Sequence, residues 1–127
     1  MRMTKNRKLI YNILEASAMP LSAKEIYDQV KNQGSEIWLS TIYRSLEAFE
    51  EKKLIIKAQI PGSDEHHYIL CSEGHHHYAI CLSCKKIIEN IQCPMGEYEP
   101  LLSEQGFRVV DHKFIIYGYC EECKEGN

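Results

Sequence analysis

Residues 75–84 of this chain, HHHYAICLSC, place three consecutive histidines shortly before a pair of cysteines in CxxC spacing. A second CxxC pair, CEEC, occupies residues 120–123. Four thiolates brought together from two such pairs form the closed tetrahedral shell that a structural Zn²⁺ prefers, and this paired spacing is a specific signal. The sequence therefore predicts one structural zinc per chain, with the ligands Cys81, Cys84, Cys120 and Cys123.

The same four cysteines could instead form two disulfides, which would require an oxidising compartment. The N-terminus, residues 1–7 (MRMTKNR), is charged and is not followed by an apolar stretch, so it is unlike a secretory signal. No segment approaches the roughly 20 apolar residues that a membrane span needs. We therefore expect a protein of the reducing cytoplasm with no membrane partner, and we favour zinc over disulfides.

Charge divides the chain into two parts of opposite sign. Residues 1–60 contain 10 Lys and Arg against 7 Asp and Glu, and residues 61–127 contain 5 against 11, which together make the 15 and 18 of the whole chain. The first part thus carries +3 and the second −6. A mildly basic front and an acidic, Cys- and His-rich back predict two modules with different partners. We place these domains at residues 1–70 and 71–127.

Helical spacing dominates the first module. Apolar residues recur at intervals of three and four in three segments, and a capping box, SAKE at residues 22–25, opens the second of them. Two β-like segments, residues 54–60 and 67–70, flank the turn PGSD at residues 61–64. Three helices and a hairpin predict a winged helix. The predicted fold class is α+β, an N-terminal winged-helix DNA-binding domain followed by a small α/β domain that holds the four-cysteine zinc site.

The third predicted helix, from about Ser40 to Lys52, has a polar face that suits DNA. Its apolar residues share one side, and the opposite side carries Tyr43 and Arg44. An arginine can pair with a guanine edge or a phosphate, and a tyrosine can pack against a thymine methyl. A solvated surface is the alternative, but the hairpin that follows favours a recognition helix. The candidate DNA contacts are Ser40, Thr41, Tyr43, Arg44, Lys5, Arg7 and Lys57.

The second module is predicted to be a small sheet with one helix. Residues 76–81 form a strand that enters the first CxxC pair, residues 86–91 return as a hairpin, and residues 107–118 form a further strand. A short helix near Pro100 ends near Gln105, with Gly106 as its stop. Zinc then stabilises both ends of a sheet that is too small to be stable unaided.

The histidines and the remaining cysteines exceed what one four-thiolate zinc requires. The chain contains six histidines and two cysteines outside the pairs, Cys71 and Cys93. A lone cysteine such as Cys71 is usually a small buried residue, and a lone histidine such as His112 is usually a strand residue without a metal. Together they predict a second, exchangeable metal site, to which Glu89 can add a carboxylate. Cys93 precedes Pro94 and is interpreted as a residue at the start of the helix, outside that site.

With these residues placed, the chain resembles the ferric uptake regulator family of metal-responsive repressors along nearly its whole length. The matching motifs are TKNR at residues 4–7, SAKEIY at 22–27, STIYRSL at 40–46, the histidine run before the first CxxC pair, and YGYCEEC at 117–123 preceded by His112. The resemblance implies a homodimer with a winged helix and a C-terminal dimerisation domain, in which metal sets the angle between the DNA-binding heads. It also implies structural zinc on the four paired cysteines.

Within that family the chain is most similar to the zinc uptake regulators, because Cys71 stands at the position of their sensory thiolate. The resemblance implies that Cys71, His76 and Glu89 are regulatory ligands. The inter-domain ligand of the family has no evident match, and His67, or its neighbour His66, is the candidate to replace it. It implies that the ligands of a second site are His75, His77, His112 and Glu97. Tyr78 departs from the family pattern, which has a regulatory histidine there. A thiolate among imidazoles suits Zn²⁺ better than Fe²⁺ or Mn²⁺, which prefer sites richer in oxygen.

We therefore expect a zinc-responsive, DNA-binding transcriptional repressor of metal-uptake genes that is not an enzyme. Its expected partners are double-stranded operator DNA and a second copy of the chain, with no small-molecule substrate. An iron- or peroxide-sensing regulator of the same family, using Fe²⁺ or Mn²⁺, is the first alternative. A zinc metallohydrolase is disfavoured, because no motif ties an acid/base carboxylate to the histidines. The last alternative is a zinc-ribbon interaction module that does not respond to free zinc.

Overall fold

The computed structural model describes residues 1–71 and 77–124, without the side chain of Asn90. The chain divides into two compact units, Met1–Ser72 and Glu73–Asn127. We refer to them as unit 1 and unit 2.

Unit 1 is built on three helices, α1 (Lys5–Ala16), α2 (Ala23–Asn32) and α3 (Leu39–Glu51). The predicted capping box opens α2. The hydroxyl of Ser22 accepts the N–H of Glu25 at 3.1 Å, and the carboxylate of Glu25 accepts the N–H of Ser22 at 2.9 Å. These bonds satisfy backbone N–H groups that the first helical turn leaves without an intrahelical partner. The prediction of three helices is confirmed.

A three-stranded antiparallel sheet completes unit 1. Its strands, β1 (Leu21–Ser22), β2 (Ile55–Gln59) and β3 (His66–Leu70), lie in the order β1-β3-β2. Strands β2 and β3 form the predicted hairpin, and Gly62 in its turn has a φ of 87°, a conformation that residues with a Cβ rarely adopt. Strand β1 was not predicted, because two residues are too few for a periodic signal.

One apolar core holds the three helices against this sheet. Ile10 of α1, Ile26 of α2 and Phe49 of α3 are completely buried, and the rings of Tyr11 and Phe49 pack in a T-shaped arrangement at 6.1 Å between centroids. Removing such side chains from water is the main favourable term in folding. Because α3 is anchored through its apolar face, its polar face is left at the surface.

Unit 2 is a second small sheet with one helix. Its elements are β4 (His77–Cys81), β5 (Ile87–Ile91), α4 (Met95–Glu104), β6 (Ile115–Gly118) and the 3₁₀ helix η1 (Glu121–Cys123). The strand order is β5-β4-β6, with β4 antiparallel to β5 and parallel to β6. Within residues 77–124 the buried residues are His77, Tyr78, Ile80 and Cys81, all in β4. The α+β fold class is confirmed.

One predicted element of unit 2 is confirmed and another is wrong. The short helix α4 ends at Glu104, next to the predicted end, and Pro100 inside it removes one intrahelical hydrogen bond without ending the helix. The strand predicted for residues 107–118 was too long, because the ladder to β4 begins only at Ile115, opposite Tyr78. Phe107 and Val110 are instead 59% and 80% exposed. A strand needs a partner as well as β-like composition.

All described helices are short. The longest, α3, has 13 residues, and none in the described parts of the chain has the length and apolar character needed to cross a membrane.

Replacing Ser22 by Ala should destabilise unit 1. Ser22 is buried, and Ser22→Ala removes the side-chain half of the capping box, so the free energy of unfolding should fall by about 1 kcal/mol. Urea denaturation followed by circular dichroism measures the change. Ser40→Ala, at an exposed position of α3, is the matched control and should alter stability by less than about 0.5 kcal/mol. Equal effects of the two substitutions would contradict the role of the cap.

Candidate metal centres and DNA-binding surface

The fold of unit 2 brings the two CxxC pairs together. Strand β4 ends at Cys81, which lies opposite Gly118, the last residue of β6. The N–H of Leu82 donates to the carbonyl of Gly118 at 2.8 Å, so the parallel pairing continues into the first CxxC turn. After β6, Cys120 precedes η1 and Cys123 is the last residue of η1. A long-range strand pair therefore places two local turns side by side.

The four sulfur atoms of Cys81, Cys84, Cys120 and Cys123 all lie within 4.8 Å of one another. The distance from Cys84 Sγ to Cys120 Sγ is 3.8 Å. Thiolates bound to one tetrahedral zinc at about 2.3 Å would be separated by about 3.8 Å, so this donor set fits the ion. None of the six cysteines, all of which the structure describes, forms a disulfide, a bond that would require two sulfurs about 2.05 Å apart. The arrangement suits zinc and does not support the disulfide alternative.

Backbone N–H groups stabilise the thiolate form of Cys81. The N–H groups of Cys84 and Cys120 each point to Cys81 Sγ at 3.5 Å. These two bonds lower the pKa of the Cys81 thiol to about 6. Since the thiolate is the form that binds metals, these N–H donors favour the metal-binding form of Cys81. Such N–H donors also orient a metal ligand once it is bound.

A second cluster in unit 2 consists of His77, Cys93 and His112, whose ligand atoms also lie within 4.8 Å of one another. His112 Nε2 is 3.2 Å from His77 Nε2 and 3.3 Å from Cys93 Sγ. His77 is buried, and Cys93 and His112 are partly buried. Two imidazoles and a thiolate are ligands that zinc commonly uses.

His77 is fixed in the orientation that a metal ligand needs. Its Nδ1 lies 3.2 Å from the carbonyl oxygen of Phe114. A carbonyl can only accept, so this bond requires the proton on Nδ1 and leaves the lone pair on Nε2, which faces His112. The ring of Phe114 meets His77 edge-on at 5.6 Å. The hydrogen bond from Nδ1 to a backbone carbonyl is the outer-shell arrangement typical of metal-bound histidines.

Cys93 is the residue that sequence reasoning missed in this cluster, because it was interpreted as a helix-start residue. The one available signal was that Cys93 lies two residues beyond the predicted return strand of the hairpin. Ile91 of β5 lies opposite His77 of β4, and Cys93 follows Ile91 by two residues, so the return strand delivers a thiol to the start of β4. Of the predicted ligands of the second site, the structure brings His77 and His112 together. Glu97 is exposed in the first turn of α4 and is not part of the group, and His75 lies outside the described residues.

The predicted regulatory ligands are distributed over both units. In unit 1, Cys71 is partly buried and follows β3, and burial raises the pKa of its thiol. His67 lies in β3, with Nε2 at 3.6 Å from a carboxylate oxygen of Glu25. In unit 2, Glu89 is exposed on β5, and His76 lies outside the described residues. Tyr78, which stands where the family has a histidine, is buried in β4.

Helix α3 presents the surface predicted to contact DNA. Ile42, Leu46 and Phe49 are buried, whereas Tyr43 is 49% exposed and Arg44 is exposed. Ser40 is exposed and Thr41 partly exposed on the first turn. Trp38, which sequence reasoning did not single out, precedes α3 and is 82% exposed. The helix therefore offers aromatic, hydroxyl and guanidinium groups to a partner.

The predicted phosphate contacts are at the surface of unit 1. Lys5 is exposed at the start of α1, and Arg7 donates to the carbonyl of Arg2 at 2.8 Å. Lys57 of β2 lies 3.6 Å from Glu50 of α3. A pair this exposed contributes little to stability, so its lysine can exchange a carboxylate for a phosphate at small cost.

Comparison with known proteins supports this description. The profile of the ferric uptake regulator family matches residues 1–117. The ferric uptake regulation protein of Shigella flexneri is 31% identical over 98% of this chain and 86% of its own length. The ferric uptake regulator of Francisella tularensis, solved with iron, has a TM-score of 0.73 at 27% identity, covering 98% of this chain and 95% of that one. FurB of M. tuberculosis, described as a zinc uptake regulator, has a TM-score of 0.54 at 32% identity, covering 96% and 95%.

The family match covers most of the chain, and it accords with the helical first unit and the four-cysteine cluster of the second. Regulators of this family bind operator DNA and are not enzymes, so the metallohydrolase alternative is rejected. The chain therefore belongs to the ferric uptake regulator family of metal-binding, DNA-binding transcriptional regulators.

Proposed function

We propose that this protein is a zinc-responsive repressor of metal-uptake genes that acts in the cytoplasm. The observation that carries the proposal is the presence, in one chain, of a helix with an exposed Tyr-Arg face and of two separate clusters of zinc-type ligands. The four-thiolate cluster is closed by protein ligands and suits a structural ion. The cluster of two imidazoles and one thiol has fewer protein ligands and suits an exchangeable one.

Zinc is favoured as the signal by the kind of donor atom. Thiolates and imidazoles select zinc, whereas Fe²⁺ and Mn²⁺ are favoured by oxygen-rich sites. The likeness to FurB, a zinc uptake regulator, supports the same metal. Iron sensing is the second candidate, favoured by relatives that carry the name ferric uptake regulation protein. Metal must bind the DNA-competent form more tightly than the other form, and a coupling of about 1–3 kcal/mol would be typical.

A homodimer is part of this proposal. Unit 2 exposes many large apolar side chains for a module of its size, and no residue of α4 is buried. The exposed side chains are Ile88, Tyr98, Leu101, Phe107, Val110, Ile116, Tyr117 and Tyr119. Such a surface is typical of an interface with another protein. Two copies would present two α3 helices to the two halves of an operator.

Replacing Arg44 by Ala should weaken operator binding. A guanidinium that pairs with a base edge contributes about 1–3 kcal/mol, so affinity should fall by roughly tenfold or more. Fluorescence anisotropy of labelled operator DNA, at constant salt and saturating zinc, measures the change. Arg108→Ala removes the same charge from an exposed position of unit 2 and should leave affinity within about twofold. If both variants lose affinity equally, Arg44 acts only through net charge.

Cys84→Ser should remove the structural zinc. Three thiolates cannot close the tetrahedral shell, so zinc per chain should fall by one and unit 2 should lose cooperative unfolding. Metal analysis after gel filtration and a thermal melt give the two readouts. Cys71→Ser, which removes a cysteine outside the cluster, is the control and should keep this zinc. A Cys84→Ser chain with unchanged zinc content and melting would refute the structural role.

Cys71→Ser should abolish zinc-dependent DNA binding while leaving the fold intact, because Cys71 is the proposed sensory thiolate and lies outside the cluster of His77, Cys93 and His112. Burial raises the pKa of the Cys71 thiol, so zinc must displace a proton to bind it. Zinc affinity at this residue should therefore rise with pH through the neutral range. Operator binding against buffered zinc at two pH values tests both statements. An unchanged zinc dependence in Cys71→Ser would remove Cys71 from the regulatory set.

A further inference from the structure

We propose that Cys93, with His77 and His112, binds a divalent transition metal in unit 2, and that its thiolate makes this site select zinc over manganese and iron. The biological role of the site rests on the proposed function. Metal binding by Cys93 does not rest on that function, because it can be observed without DNA. The ligand set differs from the one implied by resemblance, which contains Glu97 and no sulfur.

The distances among the three side chains fit one ion. In a tetrahedral zinc site with Zn–N near 2.05 Å and Zn–S near 2.3 Å, neighbouring ligand atoms are separated by about 3.3–3.6 Å. The observed separations at His112 Nε2 are 3.2 Å to His77 Nε2 and 3.3 Å to Cys93 Sγ. Two of the three separations are thus close to the spacing of tetrahedron corners, and the third, between His77 and Cys93, is within 4.8 Å. The three donors leave a fourth corner for another ligand.

The surrounding structure holds His77 in position before a metal binds. His77 is 5% exposed and is held by the bond from Nδ1 to the Phe114 carbonyl, which directs Nε2 towards the other two ligands. Cys93 lies between the end of β5 and Pro94, the residue that precedes α4. A ligand held in this way, as His77 is, loses little conformational freedom when a metal binds.

The chemistry of the donors decides the selectivity. A site of two imidazoles and a carboxylate would accept Fe²⁺ or Mn²⁺, whereas a thiolate in place of the carboxylate favours Zn²⁺ and Co²⁺. Binding releases the thiol proton of Cys93. A simple hydrogen bond between Cys93 and His112 is the competing explanation of the short distance. The two explanations differ in whether Cys93 becomes bonded to an added metal.

Cobalt(II) reports this bond directly, because a cobalt–thiolate bond gives a near-ultraviolet charge-transfer band. The experiment uses Cys71→Ser protein loaded with one zinc per chain, so that Cys93 is the one cysteine outside the four-thiolate cluster. Added Co²⁺ should produce the band. The double variant Cys71→Ser/Cys93→Ser is the matched control and should lack it. Any band that the control keeps belongs to cobalt in the four-thiolate cluster, so equal bands in the two proteins would overturn the proposal.

A second measurement needs no substitution at Cys93. Alkylation of the unmodified chain, with the modified cysteine located by mass spectrometry, reports whether the thiol is occupied. Zinc added beyond the structural equivalent should slow alkylation of Cys93 by more than about tenfold, and Mn²⁺ should not. Equal rates with and without zinc would exclude Cys93 as a ligand, and equal protection by manganese would exclude the proposed selectivity. Failure of zinc to change operator binding by the unmodified chain would count against the proposed function without affecting either result.

Discussion

The parallel pairing of β4 with β6 is the constraint on which unit 2 depends. It sets Cys81 opposite Gly118 and so brings together two CxxC turns that are far apart in sequence. Unit 1 has an extended apolar core, whereas burial in the described part of unit 2 is confined to four residues of β4. A sheet with so small a core gains little from hydrophobic burial, and small domains of this kind commonly rely on a metal. A zinc bound by the four thiolates would join the ends of β4 and β6 and compensate for the missing core.

Strand β4 also connects the two clusters of candidate metal ligands. β4 begins at His77, which belongs to the cluster with Cys93 and His112, and ends at Cys81 in the four-thiolate cluster. Its middle residues, Tyr78 and Ile80, are buried. A zinc bound by the four thiolates would therefore steady the strand whose other end carries His77, a ligand of the proposed second site. It would limit the movement of that ligand before a second metal binds.

The sequence was most informative where the signal is local. The capping box at Ser22 and Glu25, the hairpin around Gly62 and the two CxxC pairs depend on spacings of a few residues, and the structure contains all of them. The approach of Cys93 to His112 depends on register instead. Ala79 lies opposite Ile88, so a regular ladder would place residue 90 opposite His77, but a bulge places Ile91 there. Such one-residue shifts have no simple pattern in the sequence. The length of β6 was misjudged for a related reason, since composition does not reveal where a partner strand begins.

The most direct test of zinc sensing is a titration of operator-type DNA binding against buffered free Zn²⁺, Fe²⁺ and Mn²⁺, with zinc per chain measured on the same samples. Ligands shift an equilibrium only through their different affinities for its two states, so the sensed metal must change DNA affinity over the range in which it binds. We predict steep activation by zinc alone, with more than one zinc per chain. Activation by iron or manganese, with zinc fixed at one per chain, would contradict zinc sensing and leave only the structural site.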